Sequence, residues 1–311
     1  MCPLTSHQPV LYKEIIHALR PRSPGRYVDG TVGAGGHARG ILEACAPDGH
    51  LLGLDLDPQA LALARETLAP YGERARLVQA SYVSLRSQLE TVGWPAVDGM
   101  VLDLGASSMQ FDTPGRGFSF LQDGPLDMRF GPTAPYSAAQ LVNELPQEEL
   151  ADMIFRYGEE RNARRIARAI VAGRPLQTTR NLAEVIERAV GRGGRIHPAT
   201  RTFQALRIAV NDELESIEQA LPEAAGALKP GGRLAVISFH SLEDRIVKDY
   251  FRTQSKDQVN PPYERIYQVE RKATLNQITR KPITPAAAEM ETNPRARSAK
   301  LRVAEKMQGS P

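Results

Sequence analysis

Three glycines, Gly33, Gly35 and Gly36, follow the acidic residue Asp29 in the segment VDGTVGAGGH. A glycine-rich turn lets the backbone approach a ligand closely, because no β-carbon intervenes, and a helix that follows it offers unpaired N–H groups. A second acid, Asp55, comes twenty residues after Gly35, at the end of the next apolar run. A carboxylate there can accept hydrogen bonds from both hydroxyls of a ribose. Glycines also mark plain turns, but together with Asp55 they indicate a site for an adenosine-containing cofactor.

NAD and S-adenosylmethionine both contain adenosine, and the sequence favours the second. The G-x-G-x-x-G fingerprint of NAD-binding folds is absent, because Ala38 stands where the third glycine would be. Asp29 would repel a pyrophosphate, whereas it suits a ligand that carries a sulfonium and an ammonium group. The segment ALKPGGRLAVIS points the same way, because methyltransferases of this fold commonly enter their fifth strand through such a turn.

Alternating apolar runs and amphipathic segments must position these residues. Strands are predicted around Val28 and from His50, Arg74 and Val97, and a helical pattern follows each of the first three. This order predicts an α/β fold with a parallel, Rossmann-like sheet that is covered by helices on both faces.

About 130 residues separate Asp103 from the next apolar strand around Leu234, which is far longer than a normal connection. Most of this stretch shows apolar residues at helical spacing, so an inserted helical domain is expected at residues 109–209, between sheet segments 1–108 and 210–311. One long helix is expected over residues 199–221. Two last strands are expected at a sheet edge, over residues 260–268 and 296–306.

Composition excludes several classes of protein. No apolar run approaches 18 residues and the N-terminus has no secretory pattern, so we expect a cytoplasmic protein without a membrane span. Cys2 and Cys45 are the only cysteines, and the histidines show no metal-ligand spacing, so neither a disulfide framework nor a metal site is expected.

The net charge of the chain is only +3, yet the stretch between Arg156 and Arg207 contains twelve arginines and only four glutamates. This local excess predicts a polyanionic partner.

Five segments with specific patterns occur in one order: DGTVGAGGH, DLGASSMQFD, HPATRTFQALRIAVNDEL, SFHSLEDR and NPRARSAKLR. Together they resemble the bacterial small-subunit (16S) rRNA cytosine-N4 methyltransferase family, RsmH or MraW, over nearly the whole chain. The resemblance implies a class I S-adenosylmethionine-dependent methyltransferase sheet with an inserted all-helical domain. It also implies methylation of the N4 amino group of a cytidine in the decoding region of small-subunit rRNA, expected within the assembled 30S subunit. The methylated nucleotide and the oligomeric state stay open, with a homodimer among the options. The choice between naked rRNA and the assembled subunit as the substrate also stays open.

By motif position, the resemblance implies cofactor contacts at Gly35, Gly36, His37, Asp55, Tyr82, Asp103 and Gln110. Tyr82 can pack beside the adenine or be an ordinary core aromatic, and Asp103 can also be a simple turn cap. His37 is assigned to the cofactor by the resemblance alone. Thr31 departs from the pattern, because many methyltransferases have glycine there.

The residue that orients the acceptor amino group is not identified by the sequence. The cytosine amino group is a poor nucleophile, so its N–H bonds must be held by acceptors and aligned with the methyl group. Asp103 is followed by Leu-Gly-Ala-Ser-Ser instead of the Pro-Pro-aromatic stretch of many amino-methyltransferases. The candidates are Asp103, Ser107, Ser108 and His240, and a structural role for His240 is equally compatible with the sequence.

Seven arginines of the basic block are predicted to contact RNA phosphates: Arg161, Arg164, Arg165, Arg168, Arg192, Arg195 and Arg201. The alternative is the solvated face of a helix, although such a face usually mixes charge signs. Two other functions share some of these sequence features with rRNA methylation. An NAD-linked dehydrogenase is disfavoured by the missing fingerprint, and a non-catalytic RNA-binding module is disfavoured by the intact glycine turn with Asp55 and Asp103.

Overall fold

The chain forms two compact units. A computed structural model of the 311-residue chain describes residues 9–193, 196–259 and 269–308. The sheet unit comprises Met1–Gly105 with Glu215–Pro311, and the helical unit comprises Ala106–Leu214. Among the described residues, no helix has both the length and the apolar character that crossing a bilayer requires.

Parallel strands form most of the sheet unit. The strands in the described residues are β1 Arg26–Asp29, β2 His50–Asp55, β3 Ala75–Gln79, β4 Val97–Asp103, β5 Leu228–Ser238, β6 Gln258–Val259, β7 Val269–Arg271, β8 Leu275–Gln277 and β9 Lys300–Lys306. Seven of them make one sheet in the order β3-β2-β1-β4-β5-β9-β8, and β6 pairs with β7. Strands β1 to β5 run parallel, and β9 is antiparallel to both β5 and β8.

This sheet confirms the predicted α/β, Rossmann-like fold. Its central strands are buried on both faces, as the apolar run of β2 illustrates with Leu51, Leu52 and Leu54 all fully buried. The strand order reverses between β1 and β4, so the connections that leave these two strands diverge. In sheets of this kind, ligands bind beyond the carboxyl ends of the strands at such a point.

Helices cover the sheet and build the second unit. The described helices are α1 Tyr12–Leu19, α2 Gly36–Ala44, α3 Pro58–Leu68, α4 Leu85–Thr91, α5 Ser108–Asp112, α6 Ala138–Glu144, α7 Gln147–Gly158, α8 Ala163–Ala172, α9 Thr179–Val190, α10 Thr200–Asn211, α11 Glu213–Ala227, α12 Ser241–Gln254 and α13 Ala287–Thr292. Helices α5 to α10 lie in the helical unit. Each longer helix there turns an apolar face inward, as α8 does with Ile166 and Ile170, both fully buried.

The turn-rich stretch between α5 and α6 also contributes to the core of the helical unit. Phe118, Leu126 and Met128 are buried in the same apolar cluster as the faces of α7, α8 and α9. Phe118 stacks on Phe130 with ring centroids 5.7 Å apart. The stretch lacks long regular elements, as the sequence predicted, yet it is anchored by these side chains.

Three sequence expectations need correction or completion. The single helix expected over residues 199–221 is two helices, because Asp212 between α10 and α11 adopts a left-handed conformation, with φ 47°. The strand expected over 296–306 is present as β9, but it lies inside the sheet, because β8 pairs with its outer side. The strand expected over 260–268 lies outside the described residues.

Candidate functional site

The glycine turn after β1 has the conformation that its sequence predicts. Gly33 and Gly35 have φ values of 53° and 86°, a left-handed region that side chains rarely adopt. Gly35 is the N-cap of α2 and has no side chain to occupy the first N–H groups of that helix. A β-carbon at Gly36 would collide with the ring of Pro9. The turn therefore leaves the start of α2 open to a ligand on one side, while Pro9 supports it on another.

Asp55 ends β2 beside this turn and is fixed by the backbone. One carboxylate oxygen accepts the Gly33 N–H at 2.8 Å, and the other accepts the Asp57 N–H at 2.8 Å. Burial raises the pKa of Asp55, although these two hydrogen bonds lower it. A carboxylate oxygen can accept more than one hydrogen bond, so Asp55 can still receive the two hydroxyls of a ribose.

His37 and Asp103 are two predicted contacts that the structure brings together. His37 Nε2 lies 3.7 Å from Asp103 Oδ2, at the start of α2 and the end of β4. His37 is buried, and neither of its ring nitrogens makes a hydrogen bond to any residue that the structure describes. Asp103 Oδ1 is buried and also makes none with the described residues. Because buried polar atoms are normally paired, these three atoms indicate a polar ligand.

Two neighbours that the sequence did not predict position this pair. The backbone N–H of Asp103 donates to the Thr31 hydroxyl at 2.7 Å, which ties the end of β4 to the turn after β1. A glycine at position 31 would lack this acceptor. The Tyr12 ring stacks against His37 with centroids 6.3 Å apart and planes 19° from parallel. Neither contact follows from the spacing of residues along the chain.

Asp29, the acid before the turn, lies deep in the sheet unit. It is 1% exposed, and one oxygen accepts the Thr31 N–H at 3.2 Å. Burial raises the pKa of Asp29 to about 7, although His37 and the Thr31 N–H lower it. A cationic ligand near Asp29 would favour its ionised form, so the electrostatics suit a sulfonium or an ammonium group.

Tyr82 lies close to the end of β1, in a short 3-10 helix at Tyr82–Ser84 that follows β3. A β-carbon placed on Gly30 would be 3.2 Å from the Tyr82 β-carbon. Tyr82 is half-buried and therefore is not an ordinary core aromatic. Its packing beside an adenine stays a prediction.

The remaining predicted contact, Gln110, belongs to the helical unit together with Ser107 and Ser108. The Ser107 hydroxyl accepts the Gln110 N–H at 3.3 Å, and the Gln110 side-chain oxygen accepts the Ser107 N–H at 3.0 Å. This capping box begins α5, with Ser108 as the first helical residue. The local structure therefore gives Ser107 and Gln110 a role in the helix end, and their predicted functional roles stay predictions.

His240 has a comparable structural role in the sheet unit. It is the N-cap of α12, and its Nδ1 accepts the Glu243 N–H at 3.4 Å. Its Nε2 lies 3.1 Å from a Glu243 oxygen, and the His240 side chain is only 9% exposed. The side chain therefore stabilises the start of α12, and a part in catalysis stays a prediction.

Four of the predicted RNA contacts line one exposed face of the helical unit, at the start and along the outer side of α8. We call Arg161, Arg164, Arg165 and Arg168 the α8 basic face. No ion pair involves these four side chains among the residues that the structure describes. Arg192 pairs with Glu187, and Arg201 lies 3.7 Å from Glu160. Arg195 lies outside the described residues.

Comparisons with known proteins show which family this chain resembles. The model of the MraW methylase family matches residues 4–307. A ribosomal RNA small subunit methyltransferase H from Geotalea uraniireducens is 53% identical over 307 residues, which cover 97% of this chain and 98% of that protein. Proteins of the same name from Geobacter sulfurreducens and Heliobacterium mobile are 53% and 50% identical, and each alignment covers 97% of this chain and 99% of the relative.

Proposed function

The chain belongs to the MraW methylase family, and we propose that it methylates the N4 amino group of a cytidine in the decoding region of small-subunit rRNA. Its cofactor is S-adenosylmethionine, which supplies an electrophilic methyl group. The observation that carries the proposal is a group of buried atoms on His37 and Asp103 that make no hydrogen bond within the described part of the chain, next to the glycine turn and Asp55. The substrate is proposed to be the rRNA within the assembled 30S subunit.

The residues around the turn suit this cofactor better than a dinucleotide. Asp55 would accept the ribose hydroxyls, and the open N–H groups of α2 would bind the carboxylate of the methionine moiety. Asp29 is buried behind the turn, so its charge would oppose a pyrophosphate there and favour a cation. Tyr82 would lie along the adenine.

The cysteines support methylation at nitrogen and not at carbon. Methylation of cytosine at C5 needs a thiolate that adds to C6. Cys45 is fully buried at the C-cap of α2. Helix α2 begins near the carboxyl end of β1 and runs back along the sheet, so its C-terminal end lies away from the carboxyl ends of the strands. Burial also raises the pKa of the Cys45 thiol. Cys2 lies outside the described residues, in the N-terminal segment.

Asp103 is the best supported residue for orienting the amino group. It ends β4 at the crevice, by which we mean the region beyond the carboxyl ends of β1 and β4, and its buried Oδ1 makes no hydrogen bond to the described residues. An oxygen in that state can accept an N–H from the target base, whereas Ser107 and His240 already cap helices. Aligned by this acceptor, the amino nitrogen would attack the methyl group as the methyl–sulfur bond breaks and S-adenosylhomocysteine leaves. The nitrogen, positively charged after the attack, would lose its proton to Asp103 or to water, so no strong base is needed.

The α8 basic face supports the RNA part of the proposal. Four arginines of one sign, exposed and without ion pairs among the described residues, match the charge of a phosphate backbone. Arginine also donates two parallel hydrogen bonds to one phosphate. The helical unit is accordingly proposed to hold rRNA while the sheet unit performs the transfer.

Transfer of a labelled methyl group from S-adenosylmethionine to 30S subunits tests the proposal. The subunits should come from cells that lack the endogenous activity, and naked rRNA serves as the comparison substrate. Digestion of the product followed by chromatography and mass spectrometry should show N4-methylcytidine. Finding 5-methylcytidine, a ribose-methylated nucleoside or no label in the rRNA would refute it.

A further inference from the structure

A second set of basic residues lies in the sheet unit, far along the chain from the α8 basic face. Between Lys272 and Lys300 the chain has six basic residues and two acidic ones. One of the acids, Glu289, already accepts the Leu11 N–H at 2.7 Å. We define the basic rim as the five residues Arg280, Lys281, Arg295, Arg297 and Lys300, of which all but the half-buried Lys300 are exposed.

The register of the sheet places the basic rim on the side of the crevice. Asp103 on β4 pairs with Ile237 on β5, Ile237 pairs with Leu301 on β9, and Leu301 pairs with Ile283 in an isolated bridge. Neighbouring strands are about 4.8 Å apart, so Leu301 lies about 10 Å from Asp103 across the sheet. The short 3-10 helix Pro294–Ser298 comes just before β9 and therefore beyond the carboxyl end of β5.

Three of the five charges of the basic rim are not neutralised by an acidic side chain of the described residues. Arg280, Lys281 and Arg297 take part in no ion pair among the described residues. Lys300 lies 3.2 Å from Asp244, but Arg302 binds the same carboxylate at 2.6 Å, so this cluster keeps a net positive charge. The stretch therefore carries an excess of positive charge next to the place where the proposed substrate must enter.

We infer that the basic rim binds the phosphates of rRNA nucleotides that flank the target cytidine. The inference rests on the proposed function and extends it from the helical unit to the sheet unit. Lys300 lies about two strand spacings from Asp103, roughly 10 Å, and the segment with Arg280 and Lys281 lies one strand further out, roughly 14 Å, within the span of the nucleotides that flank a base at Asp103. Phosphate contacts of this kind fix the position of a nucleic acid and carry no sequence information.

The test replaces Arg280, Lys281 and Arg297 together with alanine and measures binding to 30S subunits between 50 and 200 mM salt. Each lost phosphate contact should flatten the log–log salt dependence by about 0.7–0.9, so three contacts should remove about 2 to 3 from the slope. Affinity at 150 mM salt should fall by at least about ten-fold. Affinity for S-adenosylmethionine, measured by calorimetry, should not change, and the KM for 30S subunits should rise while kcat stays close to that of the wild type.

Two further variants separate charge from folding and position. Arg280→Lys with Arg297→Lys keeps the charges and should keep the wild-type slope. The matched control replaces three exposed arginines away from the crevice with alanine, namely Arg22, Arg65 and Arg76. This control should keep most of the wild-type salt slope. An unchanged slope in the rim variant, or an equal loss in the matched control, would refute the basic rim. A wild-type protein that transfers no methyl group to 30S subunits would instead refute the proposed function itself.

Discussion

Replacing Asp29 with asparagine should make the folded protein more stable at high pH while weakening its cofactor site. Burial raises the pKa of Asp29 from 3.8 to about 7. At pH values between these two, Asp29 is therefore protonated in the folded state and ionised in the unfolded chain. The stabilisation by this proton is complete below about pH 4 and is lost as the pH rises through 7. A shift of about 3 units corresponds to about 4 kcal/mol, of which roughly 2.5 kcal/mol is lost between pH 5 and 8.

Asparagine does not titrate, so the variant lacks this loss. Its side-chain oxygen can still accept the Thr31 N–H that Asp29 accepts at 3.2 Å. In urea unfolding without cofactor, the free energy of unfolding of the variant minus that of the wild type should therefore increase by about 2 to 3 kcal/mol from pH 5 to pH 8. Asp48→Asn removes an exposed carboxylate of the same unit and serves as the matched control.

The same change should weaken the binding of S-adenosylmethionine more than that of its neutral-sulfur product, S-adenosylhomocysteine. A sulfonium favours ionised Asp29, so wild-type affinity for S-adenosylmethionine should rise between pH 6 and 8, and the variant should lose that rise. The groups that face Asp29 are His37, Asp55, Asp103 and the Thr31 N–H. Parallel stability curves for the wild type and the variant would show that Asp29 does not hold a proton in the folded state, and the reasoning would be wrong.

Four other changes test separate parts of the site. Asp55→Ala should leave the fold intact and reduce S-adenosylmethionine affinity about ten- to a hundred-fold, because charge-assisted hydrogen bonds contribute roughly 1.5–3 kcal/mol each; unchanged affinity by calorimetry would remove Asp55 from the site. Replacing all four arginines of the α8 basic face with alanine should flatten the log–log salt slope of rRNA binding by about 0.7–0.9 per lost contact without changing cofactor affinity. An unchanged slope would show that the α8 basic face is only a solvated helix face. A Cys2→Ser/Cys45→Ser variant should still produce N4-methylcytidine, and loss of transfer in a folded variant would contradict direct attack by nitrogen. Glu289→Ala should weaken cofactor affinity about five- to ten-fold, because the hydrogen bond from the Leu11 N–H is lost, whereas Glu289→Gln keeps an acceptor and should keep the wild-type affinity. Equal cofactor affinities in the wild type and both variants would show that Glu289 does not support the cofactor site.

The sequence predicted the parts of the site that depend on local pattern. The ends of β1, β2 and β4 follow from apolar runs, and the residues just after them, including the glycine turn and Asp55, follow from where parallel strands end. The fold class was predicted on the same grounds. The break at Asp212 was not, because residues 199–221 keep a helical spacing of apolar residues on both sides of one residue in a left-handed conformation. The polar and apolar residues of β9 also did not reveal that β8 pairs with the outer side of β9.

The contacts that support the glycine turn could not be predicted from a local sequence pattern, because one of them joins residues that are 278 positions apart. Leu11 is fully buried and has φ 53°, a conformation that a bulky side chain adopts only when its surroundings impose it. Its N–H donates to Glu289 at 2.7 Å, and its neighbours Pro9 and Tyr12 contact Gly36 and His37. Glu289 belongs to α13, and the basic rim residues Arg295 and Arg297 follow that helix directly. The segment that holds the glycine turn in place is therefore continuous with the surface proposed to bind RNA. A change in α13 should consequently be felt in the affinity for the cofactor as well as in the affinity for rRNA, although α13 itself contains none of the residues assigned to either ligand.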